Sequence, residues 1–220
     1  YYSTLPEKDK FGAIIIDEGQ DFKESWIICL ESMLKVDGCL YIFADPRQDL
    51  FGNGLDTLRN MTISKHKLTI NLRNSRPICD KLASLTKEKV KAKLSYGLPV
   101  TTITWTDAQD EKRKIEKEIG RLVSQGLSPN RILLLSPHRR ENSSLASLTK
   151  IKEWPLVDVA EQKYGLQFST IRSFKGLEAD VVFLIGLKQS KVCTPADVYV
   201  GASRAKFLLY MFCHEEWGQA

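Results

Sequence analysis

The stretch FGAIIIDEGQDF, from Phe11 to Phe22, constrains the fold more than any other part of the chain. Its apolar, β-branched run ends abruptly in two acids, Asp17 and Glu18. Such a run predicts a strand buried on both faces of a parallel sheet. The two acids would then lie at the carboxyl edge, where open α/β sheets bind ligands. One carboxylate can hold a divalent ion while its neighbour orients or deprotonates a water, although solvated acids at an ordinary strand end remain the alternative.

The residues that follow predict a βαβ unit. Asp21 is placed to cap a helix, and Glu24 is placed to return the hydrogen bond. The apolar positions after them recur at helical spacing until Asp37. Residues 39–44 then form a second apolar run, which also closes on an acid, Asp45. Strand, helix and strand with acids at both strand ends indicate a functional sheet edge.

The rest of the chain continues the alternation of strands and helices. Strands are predicted near 67–72, 100–105, 131–135, 167–171, 181–185 and 207–213, and helices after Ser75, over 110–125 and over 198–205. Residues 142–160 are polar and fit neither pattern. The sequence therefore predicts the α/β class, with parallel sheets flanked by helices.

Composition and cysteine usage add mild constraints. A net charge of +5 is compatible with a polyanionic partner, but many soluble domains are equally basic. The five cysteines are scattered and form no CxxC pair, which favours a reducing compartment, and we expect a cytoplasmic protein. Neither a signal peptide nor an apolar run long enough to cross a bilayer is visible, so no membrane partner is expected.

Four further blocks carry polar residues typical of nucleotide chemistry. They are ADPRQDLFG with Gln48, INLRNS with Arg73, STIRSFKGLE with Glu178, and VYVGASRAK with Arg204. Together with FGAIIIDEGQDF, and in this order, the blocks resemble motifs II to VI of the UvrD/Rep-like superfamily 1 helicases. The resemblance covers nearly the whole chain, from Ala13 to Lys206. It implies RecA-like lobes of the P-loop NTPase type.

The resemblance also implies roles around ATP and Mg²⁺. Asp17 would hold the Mg²⁺ and Glu18 would position and activate the attacking water. Gln48 would sense the γ-phosphate, and Arg73 and Arg204 would approach it from the second lobe. Guanidinium groups placed in this way neutralise charge on the transferring phosphoryl group and can contribute roughly 10³- to 10⁵-fold in rate. Taken singly, each arginine is more often a surface ion pair, and Gln48 could be a turn residue.

Other matched positions concern the rest of the nucleotide and the nucleic acid. Glu178 would hydrogen-bond the ribose, although it could also cap the loop before the next strand. Thr170 and Arg172 would face the nucleic-acid backbone, and Gly176 would let the chain turn where a Cβ would crowd. The remaining candidates for nucleotide binding are Gln20 and Asp45.

The chain departs from the family pattern at several positions. Leu72 stands where a tyrosine usually stacks on adenine, which predicts looser nucleotide specificity. Asn53 stands where an aromatic residue often stacks on a base, and Phe51 is a candidate to compensate. Base stacking is worth about 1–3 kcal/mol per base, so its loss would weaken the binding of a single strand. Arg172 replaces the usual histidine and keeps a donor for a phosphate.

The phosphate-binding loop GxxxxGK[ST] has no match, since none of the thirteen glycines is followed by lysine. The chain also begins at Tyr1, without methionine. We therefore expect a fragment whose covalent amino-terminal half or accessory domain lies upstream. Residues 1–68 would be the last part of a first RecA-like domain, and residues 69–220 the second RecA-like domain.

The sequence thus predicts the carboxyl-terminal part of an ATP-dependent helicase or translocase that moves on single-stranded DNA. The fragment alone is predicted to be inactive in ATP hydrolysis. One alternative is an ATP-dependent switch or clamp that does not unwind nucleic acid and is attached to a nuclease or another effector. Another alternative is a metal-dependent nuclease built on Asp17 and Glu18, but it needs further acids and a lysine clustered nearby, and no obvious E-x-K partner accompanies them.

Overall fold

The computed structural model describes residues 5–50, 58, 60–61, 63–87 and 91–217. The chain divides into two units, Tyr1–Lys67 and Leu68–Ala220. The division lies one residue from the predicted boundary between 68 and 69. The assignment of each unit to a RecA-like domain remains a prediction.

The first unit contains one βαβ motif. Strand β1 (Phe11–Ile16), helix α1 (Glu24–Ser32) and strand β2 (Leu34–Ile42) follow one another, and the two strands pair in parallel. Each strand is followed by a short 3₁₀ turn, Gly19–Asp21 after β1 and Pro46–Gln48 after β2. Because the strands are parallel, both turns lie at the same carboxyl edge of the sheet.

Three predictions for this unit are wrong. Strand β1 is not buried on both faces: Ile15 is 69% exposed and only Ile16 is buried, because β1 pairs with β2 alone among the described residues. Helix α1 ends at Ser32, so Asp37 lies within the longer strand β2 rather than at a helix end. Asp21 belongs to the 3₁₀ turn and does not cap α1, whose N-cap position is Lys23.

The second unit contains a seven-stranded sheet. Its strands are β5 (Thr101–Trp105), β6 (Ile132–Ser136), β7 (Lys150–Ile151), β8 (Trp154–Asp158), β9 (Leu166–Thr170), β10 (Ala179–Leu187) and β11 (Ala205–His214). They are arranged in the order β5-β11-β10-β6-β9-β8-β7, and every pairing is parallel except that of β7 with β8. A short parallel pair, β3 (Ile70–Asn71) with β4 (Lys91–Ala92), stands apart.

Three helices cover the two faces of this sheet. Helix α2 is Arg76–Thr86, α3 is Ala108–Ser124 and α4 is Pro195–Ser203. Helix α3 packs Ile115 and Ile119 into the main apolar cluster, as its spacing predicts. Helices α2 and α4 pack together on the other face, where a Cβ on Gly201 would lie 2.5 Å from Leu184. A mostly parallel sheet flanked by helices confirms the predicted α/β class.

In the second unit, the first residues of the helices are determined by their N-caps. Ser75 occupies the N-cap of α2 with Pro77 in its first turn, as predicted. Helix α3 starts two residues earlier than predicted, because the Asp107 carboxylate accepts from the backbone N–H of Gln109 and of Asp110. The segment 142–160, which the sequence left unassigned, contributes β7 and β8.

Two connections return the chain from the carboxyl edge of the large sheet to its amino edge. Strands β9, β6 and β10 are parallel, so residues 171–178 return from the carboxyl edge to the amino edge without a helix. Helix α4 makes the same return between β10 and β11. Within the part of the chain that the model describes, no helix has the length and apolar character required to cross a membrane.

Candidate functional site

The buried side chain of Gln20 joins the two acidic strand ends of the first unit. Gln20 has 0% of its surface exposed. Its Nε2 donates to a carboxylate oxygen of Glu18, and its Oε1 accepts from the backbone N–H of Asp45 at 3.1 Å. Glu18 follows β1 and Asp45 follows β2, so the amide links the two neighbouring turns.

The Asp45 carboxylate accepts hydrogen bonds from residues of the second turn. Arg47 donates from Nε to Asp45 Oδ1 at 2.8 Å, and Gln48 donates from Nε2 to Asp45 Oδ2 at 3.0 Å. Burial opposes ionisation of this carboxyl, but the hydrogen bonds from Arg47 and Gln48 outweigh it and lower its pKa. Asp45 is therefore an ionised anchor for the Gln48 amide.

The backbone at Glu18 is held in an unusual conformation. Glu18 has φ of 52°, in the left-handed region that non-glycine residues rarely adopt. The adjoining Gly19 donates its N–H to Phe43 O at 2.8 Å, and a Cβ there would lie 2.3 Å from Ile42 Cγ2. Asp17 accepts the Glu18 N–H through Oδ1 at 2.9 Å. Close packing on β2 thus fixes the direction in which Glu18 leaves the strand.

A second cluster lies at the amino edge of the large sheet. Arg73 donates from Nε to Glu178 Oε2 at 2.9 Å, and Lys206 lies 3.1 Å from Glu178 Oε1. The hydrogen bond from Lys206, reinforced by the charge of Arg73, lowers the pKa of the Glu178 carboxyl. Two cations share one anion, so the cluster keeps a net positive charge.

The segment that carries Arg73 is fastened to the end of α4. The buried Asn74 donates from Nδ2 to Ser203 O at 3.0 Å and to Ala205 O at 2.6 Å. Ser75 donates its N–H to Lys206 O at 3.1 Å. Arg73 is therefore held beside the residues that follow α4 by main-chain contacts as well as by its own ion pair.

Arg204 is 1% exposed and its guanidinium bonds to groups of its own unit. Its Nε donates to Val200 O at 3.1 Å, its Nη2 to Ser203 Oγ at 2.9 Å, and its Nη1 to Leu177 O at 3.3 Å. Arg204 thus connects the end of α4 to the segment 171–178.

The nucleic-acid candidates lie at the opposite, carboxyl edge of the sheet. Thr170 Oγ1 accepts from the Ser173 N–H at 3.1 Å, and Arg172 donates from Nε to Asp197 Oδ1 at 3.4 Å. Asp197 is 1% exposed, and its other oxygen accepts from the backbone and hydroxyl of Thr194. Sequence reasoning missed Asp197, although the T-x-x-D spacing of Thr194 and Asp197 is a capping-box signal.

Three other candidates need separate comment. Gly176 has φ of +85° with nothing near a built Cβ, so the turn requires glycine for its backbone conformation and not, as predicted, to avoid crowding. Leu72 is 64% exposed beside Arg73. Phe51 and Asn53 lie outside the described residues.

The structure therefore groups the predicted residues into three sets. Those at the carboxyl edge of the first unit are Asp17, Glu18, Gln20, Asp45 and Gln48; those at the amino edge of the second sheet are Arg73, Glu178 and Arg204; those at its carboxyl edge are Thr170 and Arg172. Lys206, Asn74 and Asp197 join these sets although the sequence did not single them out.

Comparison with solved structures defines the class of fold. The chain is similar to the PRRSV helicase, with a TM-score of 0.55 at 15% identity over 93% of this chain and 35% of that one. It is also similar to arterivirus nonstructural protein 10, a helicase, with a TM-score of 0.55 at 15% identity over 99% and 42% of the two chains. These likenesses identify the RecA-like fold of helicases.

A third solved structure is the C-terminal domain of a possible DNA helicase from Lactobacillus plantarum. It has a TM-score of 0.52 at 14% identity and covers 66% of this chain and 88% of that one. The chain spans about two-fifths or less of the length of the two viral helicases. A comparison with curated protein sequences gave no match.

A family model shows which protein family the chain belongs to. The model of the viral superfamily 1 RNA helicase core domain matches residues 2–213. The chain belongs to this family. The resemblance to superfamily 1 helicases is thus confirmed at the level of the superfamily.

Proposed function

We propose that the chain is the carboxyl-terminal part of an ATP-dependent, UvrD/Rep-like helicase or translocase that moves on single-stranded DNA. Hydrolysis of ATP would be coupled to stepping along the strand. The observation that carries the proposal is the cluster of Glu18, Gln20, Asp45 and Gln48 at one sheet edge. In this cluster Gln20 donates to the Glu18 carboxylate and Gln48 donates to Asp45, and the Gln48 amide would sense the γ-phosphate.

The residues of this edge fit a site for ATP and Mg²⁺. No group of three or more His, Cys, Asp or Glu side chains is arranged for a metal ion within residues 5–50, 63–87 and 91–217. A magnesium ion held mainly by phosphates needs only one or two carboxylates, and Asp17 offers an exposed one. When bound, the ion would neutralise charge on the phosphates, while Glu18 would orient and deprotonate the attacking water.

The amino-edge cluster of the second unit contains cations suited to phosphate binding. Arg73 is partly exposed and is held by Glu178, which keeps its guanidinium in one orientation. The net positive charge of Arg73, Glu178 and Lys206 suits a polyphosphate. We propose that Arg73 stabilises the transferring phosphoryl group and that Glu178 meets the ribose. We propose the same role for Arg204 as for Arg73, but because its buried guanidinium bonds to Val200, Ser203 and Leu177, this role requires those bonds to be exchanged for phosphate oxygens.

The carboxyl edge of the same sheet would contact the nucleic acid. Arg172 is exposed and Thr170 carries a hydroxyl at a strand end, which suits contacts with phosphate oxygens. The solved arterivirus helicase was also determined in complex with DNA, at 15% identity to this chain and a TM-score of 0.52. Binding through phosphates would carry little sequence preference.

The decisive experiment replaces Glu18 by Gln in the longest product of the gene. Turnover of ATP should fall at least a hundredfold while equilibrium binding of a fluorescent ATP analogue stays within twofold, because the amide keeps the shape but cannot take a proton. Wild-type turnover by the longest product without stimulation by single-stranded DNA or RNA would overturn the proposal. The 220-residue chain alone should show no turnover.

A second candidate is an ATP-dependent switch that does not unwind nucleic acid. Leu72 favours it, because an exposed leucine beside Arg73 offers no ring to stack on a base. A strand-displacement assay on the longest gene product separates the two. A switch would hydrolyse ATP and leave the duplex intact.

A further inference from the structure

Both ends of the Gln20 side chain are engaged by the protein. The sequence suggested that Gln20 binds the nucleotide, yet its amide nitrogen donates to Glu18 and its amide oxygen accepts from Asp45. The side chain has no exposed surface. It lies between the two acidic turns, in contact with the carboxylate that the proposed function makes the base.

Because the backbone of Glu18 is left-handed, its carboxylate needs a side-chain contact to fix its direction. A left-handed residue at the end of a strand projects its side chain away from the direction of an extended residue. Gly19 closes the turn against Ile42 and Phe43, so the main chain is fixed on one side. The donor from Gln20 reaches the carboxylate itself.

We propose that Gln20 is a positioning residue for Glu18: its amide holds the carboxylate in the direction from which it takes a proton. This inference rests on the proposed function. A general base must lie within hydrogen-bond reach of the proton that it abstracts, and a displacement of about 1 Å can lower the rate about a hundredfold. The second bond, to Asp45, fixes the amide and hence the position of its donor.

Two substitutions separate positioning from simple support of the fold. Gln20→Met keeps the volume and removes both bonds without adding a charge, whereas Gln20→Glu keeps an oxygen for the Asp45 N–H and puts a second carboxyl against Glu18. In the longest gene product, both variants should lower kcat about 10- to 100-fold and leave KM for ATP within about threefold. A role limited to support of the fold would lower the stability of Gln20→Met and leave its kcat near the wild-type value.

A double-mutant cycle tests whether Gln20 acts through Glu18. In a Glu18→Gln background, neither Gln20→Glu nor Gln20→Met should lower the residual turnover further. Additive losses would overturn the inference. Absence of turnover in the wild-type protein would overturn the proposed function instead, so the two failures are distinguishable.

A readout independent of activity uses the 220-residue chain. The side-chain amide protons of Gln20 should change their NMR shifts on Glu18→Ala substitution, because the acceptor of Nε2 is removed. Glu24→Gln, at the start of α1, is the matched control and should leave them in place. Unchanged shifts in Glu18→Ala would overturn the inference.

Discussion

Arg73 and Glu178, which are 105 residues apart in sequence, form an ion pair in which Nε and Oε2 lie 2.9 Å apart. Both side chains are partly exposed, so the pair contributes little to stability, on the order of 0–1 kcal/mol. We therefore expect Glu178→Ala to change the free energy of unfolding by less than about 1 kcal/mol. In the longest gene product it should lower kcat/KM for ATP at least about tenfold, because Arg73 loses its fixed orientation.

The matched control for this variant is Asp80→Ala. Asp80 pairs with Arg76 on the exposed surface of α2 and belongs to none of the three residue sets. It should leave both stability and kcat/KM within error of the wild type. Equal kinetic losses in the two variants would show that Glu178 acts only as a surface charge.

Gly19 provides a stability prediction for the first unit. A Cβ at this position would lie 2.3 Å from Ile42 Cγ2, so Gly19→Ala should destabilise the first unit by about 1–3 kcal/mol. Gly12→Ala, in β1, is the control, since nothing lies within 4 Å of its built Cβ. Urea unfolding of both variants, followed by hydrogen exchange of the β1 and β2 amides, measures the difference. Equal stability of the two variants would contradict the packing at Gly19.

Glu111 predicts a pH-dependent change in stability. Burial raises the pKa of its carboxyl, even though the Gly186 N–H donates to Oε1 at 2.6 Å. The folded state therefore binds more protons than the unfolded state above the ordinary value of 4.5, and stability falls as pH rises through the raised pKa. Glu111→Gln, which keeps an acceptor, should stabilise the second unit by about 1 kcal/mol at pH 7.5.

The stabilisation by Glu111→Gln should disappear below about pH 4, where Glu111 is protonated in both the folded and the unfolded state. Urea unfolding at the two pH values measures it. Glu116→Gln, on the same helix, should show no such dependence, because Glu116 is not among the buried residues of α3. A gain of the same size at both pH values would contradict an ionisable origin.

Arg172 gives a prediction for nucleic-acid binding. If its guanidinium contacts one phosphate, Arg172→Ala should weaken binding of single-stranded DNA and reduce the slope of log K against log salt by about 0.7. Lys163→Ala is the control, because Lys163 pairs with Glu161 before β9, at the opposite edge of the sheet. Fluorescence anisotropy at several salt concentrations measures both slopes. Identical slopes for the two variants and the wild type would exclude the contact.

Long periodic segments of the fold could be predicted from the sequence, and short or tertiary features could not. The spacing of Ile115 and Ile119 was enough to predict α3, and a continuous apolar run was enough for β6. Strand β8 was missed because it carries Pro155 and gains its order from pairing with β9. The burial of β1 was overestimated because an apolar run does not report how many strands flank it.

The candidate site shows the same limit. Motif order predicted which residues to examine, and the structure brings Glu18 and Gln48 to one edge through Asp45 and Gln20. Their hydrogen-bond partners could not be derived, since Gln20 meets Asp45 only when two strands are in register. The same holds for the bonds of Asn74 to Ser203 and of Asp197 to Arg172, because these partners lie far away in sequence.

The helix-free return over residues 171–178 is a short connection with limited slack. It must cover about 16 Å along the strands and about 10 Å sideways, past β6, or about 19 Å in a straight line, while eight fully extended residues span at most about 28 Å. Part of the difference is taken up by a turn in which Phe174 donates to Thr170 O. Displacement of one end by more than the remaining slack would pull on the other end, and inserted residues would increase that slack.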